Sequence, residues 1–77
     1  MLVELTNNEA MSIGEALLIN ATSHEINAFK ARDIYKMDES VINCLFKIAI
    51  EEKELAKKFA WGYFEDDKAE FLKQCDM

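Results

Sequence analysis

Hydrophobic side chains recur every three or four residues along most of the chain, which is the spacing of amphipathic helices. The clearest stretch follows Asp38 and predicts a helix to about Trp61. Asp38 has the chemistry of an N-cap residue, and Gly62 that of the residue after a helix end. The apolar side has two adjacent ridges: Val41, Leu45, Ile48, Leu55 and Phe59, and Ile42, Phe46, Ala49, Ala56 and Ala60.

The first predicted helix begins after Thr6, because residues 6–9 (TNNE) fit a capping box in which Thr6 and Glu9 exchange hydrogen bonds with each other's backbone. Its apolar positions form a single stripe: Ala10, Ile13, Gly14, Leu17, Leu18 and Ala21. A glycine inside a helix costs about 1 kcal/mol relative to alanine. We therefore expect another helix to cross closely at Gly14.

Residues 22–25 (TSHE) repeat the capping pattern and favour a break between residues 20 and 22, with a second helix after it. One long helix is the alternative, because small and apolar residues continue at spacings of three and four as far as Tyr35. The break is the preferred interpretation. A last short helix is predicted to begin at Asp67, where residues 67–70 (DKAE) also resemble a capping box.

Together these elements predict an all-α protein, a small bundle of three to four helices that forms a single domain over residues 1–77. Residues 1–5 (MLVEL) alternate as a strand does, so a short extended N-terminal segment is a further candidate element. Domains of this size bury only about 60% of their unfolded surface and often need a partner subunit for stability.

The charge balance disfavours direct binding to nucleic acid. The chain has 15 acidic and 9 basic residues, a net charge of -6, and its only basic cluster is Lys30, Arg32 and Lys36. Apolar runs of three to four residues are far shorter than the roughly 20 that cross a bilayer, and no signal peptide opens the sequence. We expect a soluble cytoplasmic protein that does not bind membranes, with Cys44 and Cys75 as free thiols.

No arrangement of reactive side chains predicts catalysis, a metal or a cofactor. His24 and Glu25 are adjacent and diverge on a helix, and no other metal-ligand types are closely paired. His24 is expected in the first turn of a helix, Cys44 on the apolar side of the central helix, and Cys75 near a frayed end. Glu52 interrupts that apolar side and is expected to pair with a lysine or arginine. We predict no enzyme; an ion or water held by His24 and Glu52 together would argue otherwise.

A cluster of aromatic residues near the end of the central helix predicts a protein-binding surface. Successive helical positions diverge by about 100°, so one stripe cannot bury every member of this cluster. Trp and Tyr anchor interfaces, and an acidic rim adds specificity. The predicted binding residues are Ile50, Trp61, Tyr63, Phe64, Glu65, Asp66 and Asp67. The alternative is that the last helix covers this surface through Phe71 and Leu72.

Residues 3–10 (VELTNNEA), followed by residues 14–17 (GEAL), resemble the start of many short acidic helical proteins encoded by bacteriophages and prophages. The resemblance covers about 15 of the 77 residues and implies a non-enzymatic protein that binds a host or phage protein and modulates it. It identifies no active residue.

Three functions follow from these patterns. The first is a non-enzymatic acidic protein-binding module, an accessory protein or inhibitor that also self-associates as a homodimer. The second is an acidic mimic of nucleic acid that blocks a DNA-binding or RNA-binding enzyme. The third is a structural subunit of a homo-oligomer.

Overall fold

The computed structural model describes residues 4–76, and these residues form an all-α protein, as the hydrophobic pattern predicted. Its three α-helices lie within the expected range of three to four. The elements in chain order are α1 (Asn7–Asp33), α2 (Glu39–Lys57), a 3₁₀ turn (Ala60–Gly62) and α3 (Glu65–Cys75). No strand occurs in the described residues. Residues 4–6 lack regular structure, and the rest of the predicted extended segment lies outside the described residues.

The predicted capping box begins α1. The backbone N–H of Glu9 donates to Thr6 Oγ1 at 3.1 Å, and the backbone N–H of Thr6 donates to Glu9 Oε1 at 2.9 Å. The second of these bonds is the main reason that the pKa of Glu9 is lowered, because it stabilises the carboxylate. Two of the free N–H groups at the helix start are thereby satisfied.

The predicted break between residues 20 and 22 is wrong, because α1 continues without interruption for 27 residues. The Thr22 hydroxyl caps no new helix and instead donates to the Leu18 carbonyl one turn earlier, at 3.0 Å. His24 therefore lies inside a helix and not in a first turn. The physical reason is burial along one side of α1, which only an unbroken helix can keep in line: Ala10, Gly14, Ala21, Ala28 and Ala31 are all buried.

The helices α1 and α2 form an antiparallel hairpin. Its connection includes Lys36 in the left-handed region at φ 51°, and the N–H of Met37 returns to the Ala31 carbonyl at 2.9 Å. Asp38 precedes α2 as predicted, although its side chain makes no capping hydrogen bond. The contact between the helices, which we call the seam, is lined by small buried residues: Ala21, Ala28 and Ala31 of α1 and Ala49 of α2.

The helix α2 ends at Lys57, four residues before the predicted end at Trp61. The reason lies at Gly62, which is pressed against the start of α1. A Cβ atom on Gly62 would lie 2.6 Å from both the Asn7 carbonyl oxygen and the Met11 nitrogen. Gly62 therefore permits a close backbone approach and does not act as a left-handed helix cap.

The helix α3 begins at Glu65, so the capping box predicted at residues 67–70 is wrong. Phe64 occupies the N-cap position without a side-chain hydrogen bond, and three acids fill the first turn. These carboxylates lie at the positive end of the helix dipole. Their charge stabilises the start of α3 in the absence of a side-chain cap. Phe71 and Cys75 then pack on Ala56 and Ala60 to form the core cluster.

Candidate functional site

A groove of about 450 Å³ runs between α1 and α3 and is the candidate site. We call it the α1–α3 groove. Its lining residues come from α1, from α3 and from the segment before α3: Met11, Glu15, Leu18, Ile19, Tyr63, Asp67, Glu70, Phe71 and Gln74. Because α3 packs mainly through Phe71 and Cys75, its remaining surface stands away from α1 and leaves this space open.

The floor of the groove is a stack of two aromatic rings on a glycine. Phe71 is only 4% exposed, and Tyr63 stacks on it with ring centroids 4.5 Å apart. A Cβ atom on Gly14 would lie 3.0 Å from Phe71 Cζ and 3.4 Å from Phe59 Cβ. The close approach predicted at Gly14 is therefore present, although side chains and not the backbone of a crossing helix make it. The floor is apolar and closely packed.

The rim of the groove is acidic. Three carboxylates line it, those of Glu15, Asp67 and Glu70, and none of the lining residues is basic. Burial and then the negative charge of Glu15 raise the pKa of Tyr63 to about 12, so its hydroxyl stays protonated and donates to the Met11 carbonyl at 3.4 Å. An apolar floor beneath three carboxylates suits a ligand that is both cationic and apolar.

The structure places only part of the predicted binding surface in this groove. Tyr63 and Asp67 line it, whereas Ile50, Trp61 and Phe64 are exposed elsewhere, and Phe64 is 78% exposed. Ile50 and Trp61 do not lie on one helix, because α2 ends at Lys57. The remaining predicted acids, Glu65 and Asp66, are exposed in the first turn of α3.

The alternative, in which α3 covers the aromatic cluster, holds only for Tyr63. Phe71 turns towards Gly14 and stacks on Tyr63, which is part-buried, while Trp61 stays 46% exposed. The sequence interpretation missed Glu15 and Glu70 as groove residues. The spacing of three between Asp67 and Glu70 on one helix was a usable signal for Glu70; nothing local connected Glu15 to them.

Two polar side-chain contacts connect α1 to α2 on opposite sides of the seam. Glu52 pairs with His24, with 2.5 Å between Oε1 and Nδ1, so the expected lysine or arginine partner is wrong. The neighbouring Lys53 donates to Glu25 Oε1 at 2.8 Å and is the one buried charged residue in the described part of the chain. The two contacts join consecutive residues of α1 to consecutive residues of α2. They therefore fix how far α1 is displaced along α2.

The two cysteines occupy the reverse of their expected environments. Cys44 is exposed rather than packed on the apolar side of α2, and Cys75 is buried in the core cluster rather than frayed. Both are free thiols, as predicted. Burial is the main reason that the pKa of Cys75 is raised. Within residues 4–76, no three histidine, cysteine or acidic side chains are grouped so that they could hold a metal ion.

The fold and the groove together define a small all-α protein with an acidic, apolar-floored cleft. In the described part of the chain, no helix has both the length and the apolar content that crossing a bilayer requires. Comparisons with protein families, with curated proteins and with solved structures found no match to this chain.

Proposed function

We propose that the chain is a non-enzymatic protein-binding module whose α1–α3 groove binds a basic, amphipathic segment of a partner protein. The observation that carries this proposal is the composition of the groove, in which three carboxylates surround an apolar floor and no basic residue lines it. A partner segment would place apolar side chains on Tyr63 and Phe71 and its lysines or arginines against the rim.

Electrostatics favour the same class of partner. The net charge of -6 attracts cationic segments over roughly a Debye length, about 8 Å at physiological salt, and speeds their encounter. The floor would then supply affinity that salt does not screen. Modulation of a host protein, which the resemblance to phage accessory proteins implies, is the role that we propose for this binding. We place it in the cytoplasm, where two free thiols persist.

Selection from a displayed random-peptide library tests the proposal directly. We expect enriched peptides to combine lysine or arginine with apolar residues at helical spacing. The double variant Asp67→Lys, Glu70→Lys should weaken binding of these peptides at least about tenfold in calorimetry, because it reverses two of the three rim charges. The double variant Glu39→Lys, Glu51→Lys is the matched control. It changes the same net charge at exposed positions, one in a first turn and one inside a helix.

A third variant separates the proposed module from the nucleic-acid mimic. Ile19 lines the groove and is 66% exposed, so Ile19→Ser should leave the fold intact and weaken binding at high salt. If binding disappears at high salt and Ile19→Ser has no effect, carboxylates alone are responsible and the mimic replaces the module. Equal loss in both charge-reversal variants would show that the groove is not the site.

A further inference from the structure

The side of the hairpin opposite α3 is a second surface, separate from the α1–α3 groove. The His24–Glu52 pair marks this side, and the Glu25–Lys53 pair marks the other. The helix α3 lies on the Glu25 side, because Gln74 borders a cavity of about 430 Å³ together with Glu25 and Lys53. We call the His24 side the free face, since no described element packs over it.

The free face is apolar along α2, and α1 adds Ile13 near its start. Residues three, four, seven or eleven positions from His24 or Glu52 share their side of the helix. The large members are Ile13, Val41, Leu45, Ile48 and Leu55; Leu17 shares the spacing but packs against the core cluster. None of these five is buried. On α2 they step by four and three residues, which is the heptad repeat that packs against a partner helix of the same repeat.

The surface area of the whole chain is larger than that of a compact monomer of the same mass. A compact monomer of 8.9 kDa exposes roughly 4,800 Å². This chain exposes 5724 Å², an excess of roughly 900 Å². A stable interface buries about 800 Å² on each partner. The radius of gyration of 14.5 Å likewise exceeds the roughly 11.5 Å of a compact chain of this length, and the thinnest extent is only 13 Å.

The charges on the free face permit contact between two acidic chains. The positions three, four and seven residues from His24 on α1, and from Glu52 on α2, carry no other ionisable side chain. His24 and Glu52 already pair with each other. Two copies with a net charge of -6 can therefore meet here without opposing unpaired carboxylates, whereas the acidic groove repels a second copy.

We infer that the free face binds the free face of a second copy, so that two hairpins form an antiparallel four-helix bundle. A twofold contact is self-complementary, and a second copy supplies the same heptad repeat and the same length of helix. The central His24–Glu52 layers fix the register of the two hairpins, as polar residues do inside helical bundles.

Sedimentation equilibrium across a hundredfold dilution tests this inference. We expect twice the 8.9 kDa chain mass at the high end and dissociation on dilution. The double variant Val41→Glu, Leu55→Glu should weaken the dimer about hundredfold, because it buries unpaired carboxylates in the interface. Both side chains are exposed in one copy, so the hairpin itself should fold. Ile26→Glu is the control: Ile26 is 49% exposed against 43% for Leu55, but points away from the free face.

Thiol modification gives a second measurement that does not depend on mass. Cys44 lies three residues after Val41 and four before Ile48, beside the free face, and it is exposed in a single copy. Its alkylation should slow as the concentration rises, and it should stay fast in Val41→Glu, Leu55→Glu. The buried Cys75 reports whether each variant is folded, because unfolding exposes it.

A chain mass that stays monomeric over the whole range, with Cys44 alkylated at a constant rate, would overturn the inference. So would a dimer that Ile26→Glu dissociates and Val41→Glu, Leu55→Glu leaves intact. The two surfaces are separable: Asp67→Lys, Glu70→Lys should leave the mass unchanged, and the Val41 and Leu55 variant should keep peptide binding.

Discussion

The seam and the aromatic end, where Tyr63 stacks on Phe71 over Gly14, are packed with side chains of different size. The seam is built from alanines, and Ala21 and Ala28 are fully buried although each contributes little area. At the aromatic end Phe71 fills the space over Gly14, so one large side chain supplies the burial. No large side chain in residues 4–76 has an exposed fraction below 2%.

The difference explains why so much apolar surface stays outside. Small residues let two helices approach closely. A contact lined by small residues does not, however, cover the larger side chains beside it. Isoleucines, leucines and aromatic residues are therefore displaced to the flanks of the hairpin, where they form the free face and the exposed aromatic cluster. The exposed apolar surfaces of this protein are a consequence of its seam.

The largest expected effect lies at the aromatic end. Phe71→Ala should lower the free energy of unfolding by about 3 to 5 kcal/mol, because it empties the space between Gly14 and the core cluster. Urea denaturation followed by circular dichroism measures it. Phe64→Ala removes an equally large ring that is 78% exposed and should change stability by less than about 0.5 kcal/mol. Similar losses for both would show that the packing of Phe71 over Gly14 contributes no more than an exposed ring does.

Gly62→Ala should cost about 3 kcal/mol. The added Cβ would lie 2.6 Å from two backbone atoms of α1, and backbone moves less readily than a side chain. Gly14→Ala is the informative partner variant: its Cβ meets the ring of Phe71 at 3.0 Å, and the gain of about 1 kcal/mol in helix propensity offsets the crowding. A larger loss of stability for Gly14→Ala than for Gly62→Ala would show that Gly14, and not Gly62, is the more closely packed glycine.

At the seam, enlarging a side chain should lower stability more than shortening one, because the buried residues there are already small. Ala28→Leu should cost about 2 kcal/mol, since the fully buried alanine has no room for three more carbons. Ala16→Leu makes the same substitution at an exposed position of α1 and should stay within about 0.5 kcal/mol. Thermal denaturation of the pair measures the difference. Tolerance of leucine at residue 28 would mean that the helices are not closely packed there.

The last expected effect is a loss of stability in alkali to which Tyr63 at the aromatic end contributes. The pKa of Tyr63 is raised from 10.0 to about 12, so above pH 10 the unfolded chain releases this proton while the folded chain keeps it. The unfolded state then binds fewer protons, and stability falls as the pH rises from 10 to 12. Tyr63→Phe should flatten the decline in urea midpoints over that range. An unchanged slope would locate the titrating group elsewhere.

The sequence interpretation succeeded where a feature depends on neighbours along the chain. The capping box of Thr6 and Glu9 was predictable because both partners lie within one turn. The same pattern at residues 22–25 misled, since the buried alanines on both sides of it favour one continuous helix. The early end of α2 was hidden for a related reason: Gly62 is constrained by Asn7 and Met11, more than 50 residues away.

The candidate site shows the same limit. Tyr63 and Asp67 were predicted from local composition, and both line the α1–α3 groove. Glu15 was missed, because no local pattern relates α1 to residues of α3. The pairing of Glu52 with His24, in place of a lysine or arginine, likewise required knowledge of the hairpin register.

By itself, the sequence determined that this protein is helical and acidic and where its first helix starts, because propensity, periodicity and capping act within a few residues. The tertiary structure decided that residues 7–33 are one helix, that α2 stops at Lys57, and that an acidic groove forms on one side of the hairpin while the other stays bare. These outcomes depend on which surfaces meet, and the free energy of burying small residues along the whole seam outweighed each local signal that opposed it.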